Sequence, residues 1–571
     1  MQRFTIGLQR IAIAALSILI SILFVHSIQA SSVTSATLLT DPFLQLPTES
    51  SVRVVWFTEF KGVRHTVTCD TKTVLATTTK LSRSREDQDS KISNPPPQLT
   101  QRNIWRHEAK IDHLEAGKRY PYHVASVRED NATVESATFT LSPKPLSTQA
   151  LKILLTSDHQ LKPMVPANLQ KVIETIGAVD AVFMAGDLIN VPDRASEWFD
   201  DDRGNAFFPT MQGRANYTLN GTRYKGGAIL QSTPLYSAIG NHEVMGRFSN
   251  TTRLDEQFSD AFPRHLAERS ASSDPDSIKN HSYNTDTYEE ILTLPQSASG
   301  SQYYAETFGN VRLVVLYLTN VWRTPQLTAD AKGKYRERDA DFDCPDRWGH
   351  GQIIFESIAP DSPQHKWLTE ELNSHEFEQA KYKIVMFHHP PHSLGDNIVP
   401  PYTDPIQTID PRSRSIRYEY PQSEDYLIRD LIPMLEKAGV QLVLYGHTHI
   451  WNRFVSPTGM HFLETSNVGN SYGAYLGEKR RDVPKDSGYA EIGNPNGLAP
   501  VMPSLPPELR SAQNAPLRDA VGQPMPYIAS NDITVFSIFD TQTGTVSSYR
   551  FDTREPKSDV IKFDEFRLER P

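Results

Sequence analysis

The chain has 571 residues, 38% hydrophobic and 22% charged. That is too long for one core, because single domains stop growing near roughly 250–300 residues, and the mix is that of a globular protein, not a membrane bundle. A formal net charge of −10 argues against a nucleic-acid partner, which needs clustered Lys and Arg to displace counterions; the longest basic cluster, Lys479-Arg480-Arg481, runs straight into Asp482 and reads as solvated loop.

In chain order, Arg3 and Arg10 precede or flank the start of an apolar run from Ile11 to Val25, and Ala30-Ser31-Ser32 closes the segment. This is the layout of a signal peptide over 1–30, which implies a secreted chain, periplasmic or extracellular. A retained anchor is the alternative, kept open by Ile28 at the third position from the cut. The run is, however, shorter than the about 20 apolar residues a span needs and is interrupted by Ser17 and Ser21, so no stable span is expected after cleavage. Cys69 and Cys344 fall in different expected domains at no metal-type spacing and read as unrelated thiols. Asn131, Asn216, Asn220, Asn250 and Asn280 each open an Asn-x-Ser/Thr triplet, an acceptor site only in a host that glycosylates it.

From 37 to 142 short apolar or alternating runs, such as Ser51 to Phe57 and Tyr120 to Ala125, are separated by polar turns and indicate an all-β sandwich. Ser142 to Ser147, with two prolines, reads as a linker. From 150 to 553 the pattern changes to strands alternating with helices: Leu151 to Leu155, helical spacing over Pro166 to Ile176, then Ala181 to Ala185, Val311 to Leu318, Lys383 to Phe387, helical Glu424 to Lys437, and Val440 to Tyr445. This is an α/β domain. Asp193 to Thr233 and Arg323 to Ser362 read as long loops over the active face, Pro495 to Pro526 as irregular, Thr534 to Phe551 as a hairpin added to the sheet, and 554–571 as a tail.

Five clusters of metal-ligand residues each follow an apolar, strand-like run: Ser157-Asp158-His159-Gln160, Gly186-Asp187-Leu188-Ile189-Asn190, Gly240-Asn241-His242-Glu243, His388-His389-Pro390-Pro391-His392 and Gly446-His447-Thr448-His449. Ligands of open α/β sheets bind outside the carboxyl ends of the strands, so the five endings converge on one site. Carboxylates, amide oxygens and imidazoles without thiolates suit Mn, Fe or Zn, and a carboxylate such as Asp187 can bridge two ions.

With these motifs in register, the sequence resembles the calcineurin-like metallophosphoesterase superfamily, and within it the purple acid phosphatase branch. Asp41-Pro42-Phe43-Leu44-Gln45 with Ser51 to Trp56, and Leu114 to Tyr120, are similar to that branch's fibronectin III-like N-terminal domain. Tyr303-Tyr304 with Phe308-Gly309-Asn310 looks like its strand before the fourth motif. The resemblance implies a sandwich followed by two packed mixed β-sheets flanked by helices, and hydrolysis of small phosphate monoesters by hydroxide that two metal ions activate. One ion would be held by Asp158, Asp187, His449 and Asn190, the other by Asp187, Asn241, His388 and His447, with His242 as general acid. Two departures matter. Purple phosphatases carry a tyrosine where this chain has Asn190, so two divalent ions (Fe, Mn or Zn) and no purple band are expected. Many superfamily members have Asp-x-His where this chain has Asp158-His159-Gln160, and Gln160 could ligate or hydrogen-bond a ligand. His392 is a candidate phosphate contact or loop surface. The alternatives are a phosphodiesterase or nucleotide-hydrolysing metalloenzyme, and a metal-stabilised binding module without turnover. The oligomeric state is open.

Overall fold

The computed structural model describes residues 37–569 except 261, 271–273, 298–299, 322–334, 342–343, 345–346, 349–352, 355, 397–398, 400–401 and 410. The expected signal peptide, 1–30, and much of the polar stretch 323–362 lie outside the described residues.

The N-terminal part is all β. One sheet orders its strands Phe43–Gln45, Ser51–Thr58, Trp105–Asp112 and Thr77–Lys80; the other orders Thr133–Glu135, Tyr120–Val127, Arg64–Cys69 and Lys72–Leu75, with Phe139–Leu141 also on Tyr120–Val127. Alternating side chains from both sheets meet in a core of Val54, Trp56, Val67, Tyr122, Val124 and Leu141, as a sandwich requires. The opposite face of the first sheet is also buried. Phe43 and Phe57 pack there on Phe208 and Phe199 of the following domain, with ring centroids 5.0 Å apart in each pair.

The α/β part is built on two sheets. In the first, Leu235–Ser237, Ala181–Met184 and Lys152–Thr156 run parallel, and the antiparallel strands Ile533–Asp540, Thr545–Asp552 and Ile561–Arg567 extend it. In the second, Val311–Val315, Tyr382–Met386, Leu442–Tyr445 and His461–Thr465 run parallel, flanked by antiparallel Tyr304–Phe308 on one side and Trp451–Val455 with Tyr527–Ile528 on the other. Both faces of the parallel strands are covered, so they read as near-continuous apolar runs such as Ala-Val-Phe-Met and Leu-Val-Leu-Tyr. One continuous core joins the sheets, including Leu154, Phe183, Leu313, Ile384, Leu444 and Phe539. The helix Val165–Ile176, with Pro166 at its start and Gly177 just past its end, packs against the strand Ile533–Asp540.

The terminal segment differs from expectation. Ile561–Arg567 is no tail but the edge strand of the first sheet. Its buried Asp564 takes both arms of the Arg453 guanidinium, at 2.9 and 3.1 Å. The stretch 193–233 is also more ordered than a plain loop, with short helices at Ala195–Phe199 and Phe207–Met211 and a hairpin of Tyr217–Leu219 with Thr222–Tyr224. The expected hairpin from Thr534 to Phe551 forms, and both cysteines are free.

Candidate metal centre

Three parallel strands of the first sheet and two of the second each lead into one motif: Lys152–Thr156 to Asp158, Ala181–Met184 to Asp187 and Leu235–Ser237 to Asn241, then Tyr382–Met386 to His388 and Leu442–Tyr445 to His447. The turns are sharp enough to hold four non-glycine residues in the left-handed region, Asp158 (φ 58°), Asp187 (57°), His447 (80°) and His449 (58°). Such conformations persist where surrounding structure over-determines them, as happens at functional sites.

The glycines of the motifs leave room for the side chains beside them. A Cβ on Gly240 would collide with the Asp187 carboxylate, and one on Gly446 with Asp158 and Ser157. Gly186 combines a φ of 95° with His388 Nδ1 only 2.9 Å from where its Cβ would stand.

Around Asp187 four possible ligand atoms face one another, three of them acceptors. His388 Nδ1–H donates to the Ala185 carbonyl at 2.8 Å, so the neutral ring presents its Nε2 lone pair inward. That lone pair lies 3.0 Å from Asn241 Oδ1, 3.2 Å from Asp187 Oδ2 and 3.3 Å from His447 Nδ1. His447 Nδ1 is itself 3.0 Å from Asn241 Oδ1. Acceptors aimed at acceptors in a buried site are unfavourable unless a cation sits among them, and this donor set fits a borderline metal. Burial opposes charge on His388, yet Asp187 and Asp158 beside it push the ring up to about 9, so without metal a proton takes the cation's place.

The second half is looser. His449 Nδ1–H donates to the Asn470 carbonyl at 2.9 Å, leaving Nε2 3.5 Å from Asp158 Oδ1. Asp158 Oδ2 accepts the His447 backbone N–H at 2.9 Å. Ligand atoms of Asp158, Asp187 and His388 lie within 4.8 Å of one another. Asn190 donates its Nδ2 to the Gln160 carbonyl at 2.9 Å, and its own carbonyl accepts His242 Nδ1–H at 2.6 Å. That bond leaves His242 Nε2 as the outward-facing nitrogen of a half-buried ring stacked on Phe258.

Gln160 makes the hydrogen bond: its Nε2 donates to Asp187 Oδ2 at 2.9 Å, which leaves its amide oxygen as the atom that could ligate. His159 turns away to Thr156 Oγ1, 2.9 Å from its Nε2. His392 requires correction. Its ring is buried against Phe454 and Phe462 and its Nδ1 accepts from Asn494 Nδ2 at 3.0 Å; burial holds it near a pKa of about 3. It is a packed ring and not loop surface.

Two buried carboxylates without a role in the sequence reading hold the motif loops. Glu243 accepts the backbone N–H groups of Gly240, Asp187 and Leu188 at 2.7–2.8 Å, tying the second motif to the third. Glu464 accepts Thr448 N–H at 2.9 Å and Thr448 Oγ1–H at 2.6 Å, and also takes Ser393 and Asn452 at 2.8 Å, which fixes the loop between His447 and His449. Glu243 stands inside the third motif; Glu464 is signalled by a charge in a strand whose other buried residues are apolar or small. His389 was likewise assigned nothing, yet its ring lies 3.9 Å from that of His447, and one ligand atom each of His388, His389 and His447 falls within 4.8 Å of the others.

The sequence profile of the calcineurin-like phosphoesterases matches residues 151–451, more than half of the chain and all five motifs. The chain belongs to that family. As a calcineurin-like phosphoesterase it is a metal-dependent phosphoric ester hydrolase, and the family's centre typically takes two metal ions. The fold agrees. A purple acid phosphatase from yellow lupin (Lupinus luteus) seeds superposes with a TM-score of 0.52 at 13% identity, over 92% of this chain and 73% of that one. The PhoD structure, also 13% identical, covers 93% of each chain with a TM-score of 0.42. A dimetal phosphatase from Danio rerio, 11% identical, aligns over 72% of this chain and 98% of its own with a TM-score of 0.32. At these identities the lupin enzyme speaks for the fold alone. No curated protein matches the sequence. Among the described residues no helix is long and apolar enough to cross a membrane.

Proposed function

We propose that this calcineurin-like phosphoesterase is a secreted phosphatase of small phosphate monoesters. One divalent ion would be held by Asp187, Asn241, His388 and His447, and a second by Asp158, Asp187, His449 and Asn190. Two such ions supply, when bound, the positive charge that polarises a phosphoryl oxygen and makes water nucleophilic near neutral pH.

The remaining work falls to the chain's own side chains. Asp187 would serve both halves: its Oδ2 faces His388 at 3.2 Å, and ligand atoms of Asp158, Asp187 and His388 lie within 4.8 Å of one another. His242, its Nδ1–H committed to the Asn190 carbonyl, has Nε2 for a proton that passes to the departing alkoxide, a general-acid role. The fixed tautomer keeps that nitrogen turned outward. The observation that carries the reading is the convergence of three possible ligand atoms, Asn241 Oδ1, Asp187 Oδ2 and His447 Nδ1, on His388 Nε2 within 3.0–3.3 Å.

The test is chelation and reloading with Mn²⁺ or Zn²⁺, followed by metal content and hydrolysis of a chromogenic monoester and the matching diester. Two metal equivalents and metal-dependent monoester turnover that Asp187→Ala abolishes are expected. Equal rates for variant and parent, or faster turnover of the diester, would overturn the proposal. Export is tested by N-terminal sequencing of the chain recovered outside the cytoplasm, which should begin just after Ala30.

A further inference from the structure

Tyr472 stands at the rim of the metal centre, and nothing in the proposed chemistry uses it. Among the described residues it is the one aromatic among the exposed large apolar side chains, at 57% exposure; the others are aliphatic or methionine. Single exposed aliphatics need no explanation. An aromatic ring is different, because a free face can carry a second flat group.

The position of the ring is set by a residue of the centre. Tyr472 stacks on His449, with ring centroids 5.8 Å apart and planes 27° from parallel, and His449 Nε2 in turn lies 3.5 Å from Asp158 Oδ1. One face of the tyrosine is therefore turned to the centre, and the remainder of the ring meets solvent.

The ring is also held in place. Asn470, in the left-handed region at φ 55°, fixes both partners of the stack: its carbonyl accepts His449 Nδ1–H at 2.9 Å and its Nδ2 donates to Tyr472 Oη at 3.1 Å. Between them Ser471 is clamped by Asn531, whose Oδ1 accepts the Ser471 N–H at 2.7 Å and whose Nδ2 donates to the Ser471 carbonyl at 3.3 Å. The Tyr472 carbonyl accepts Lys479 Nζ–H at 2.7 Å. A ring whose whole task was to cover His449 would gain most by being buried itself. This one is anchored at its hydroxyl and along its backbone and left open, which is the form of a preorganised contact surface.

We propose that Tyr472 determines specificity: its ring receives a planar aromatic or heteroaromatic group of the phosphate ester, so that aryl or nucleoside phosphates are preferred to alkyl phosphates. The inference rests on the phosphatase reading above and names its substrate class. Stacking on one aromatic side chain accepts any flat ring and contributes about a tenfold gain in affinity. The hydroxyl only orients the platform, so phenylalanine can replace the tyrosine.

The test compares phenyl phosphate and adenosine 5′-phosphate with glycerol 1-phosphate on the Mn²⁺-loaded full chain. At least one of the two ring-bearing esters should show a KM about 10-fold below that of glycerol 1-phosphate. Tyr472→Ala should remove that advantage with kcat kept within about threefold, and Tyr472→Phe should retain it. Tyr472→Leu still covers His449 but offers no flat face, and should behave as Tyr472→Ala with its metal content intact. An advantage confined to phenyl phosphate sets the platform beside the phosphorus; one confined to the adenosine ester sets it a sugar's length away. No ring advantage in the parent, an advantage that both the Ala and Leu variants keep, a KM that rises equally for all three esters, or metal lost from both variants would each overturn the inference. A parent that turns over no monoester at all defeats the phosphatase reading itself, an outcome distinct from turnover without preference.

Discussion

Two pairs of buried histidines show how the same side chain is used in opposite ways. In the sandwich, His65 and His107 stack with centroids 3.6 Å apart. Every ring nitrogen there has a protein partner: His65 meets Ser126 Oγ and the Lys61 carbonyl at 2.8 and 2.7 Å, and His107 meets Thr58 and Thr78 hydroxyls at 2.8 and 3.0 Å. In the metal centre, His388 has one nitrogen secured by a backbone carbonyl, while the other faces an amide oxygen, a carboxylate and the His447 ring. Burial is equal in kind, so it does not mark a ligand. What marks one is a nitrogen left pointing at acceptors.

The largest effect expected from breaking this contrast is at His388. His388→Ala should remove metal from the protein and turnover with it, exceeding the roughly 10–100-fold loss typical of a residue that only supports a ligand, as measured by metal content and monoester hydrolysis on the same preparation. Retention of both would return His388 to the structural class. Next is His242→Gln, expected to lower turnover by roughly 10²–10⁴ with metal content intact. The loss should be smaller for a nitrophenyl ester, whose leaving group scarcely needs the proton, than for an alkyl ester. Glu464→Gln sharpens the comparison from outside the ligand set, since a neutral amide holds Thr448 less well; metal affinity should fall about 10–100-fold, read by competition with a chelating dye.

The smallest expected effect is on stability in the sandwich. Burial first, then His65 and Arg106, depress His107 from 6.5 to about 2. A histidine whose folded pKa is depressed stays neutral in the native state while the unfolded chain takes up a proton below 6.5. Stability is therefore full above about pH 6.5 and falls as pH drops toward 2, by up to about 1.4 kcal/mol per pH unit from this one ring. Denaturant unfolding between pH 7 and 4 should show that slope reduced in His107→Gln, with phosphatase turnover at pH 7 unchanged. An identical slope in parent and variant would remove His107 as its source.

Much of the centre was legible because its residues sit in short runs directly after apolar strands, and a strand end fixes position without any knowledge of tertiary contacts. The residues that were not legible act across distance. Glu464 reaches back to Thr448 from the adjoining strand, and Glu243 ties together loops from two different strands. The burial of His392 was not legible because the sequence places it in a loop, whereas Phe454 and Phe462, distant in sequence, close over the ring. The edge strand Ile561–Arg567 was hidden for a local reason. The register shifts at Ser548/Tyr549, and buried Asp564 interrupts the apolar alternation that would have announced a strand.

The strand Lys152–Thr156 begins the first sheet, yet its far neighbour is Ile533–Asp540, and Leu151 N–H bonds Thr541 Oγ1 across 390 positions of sequence. Contacts this distant close late and slowly. On the ribosome, the first two motifs would emerge long before the strand that seals their sheet, so the nascent domain exposes an open, aggregation-prone edge through most of its synthesis.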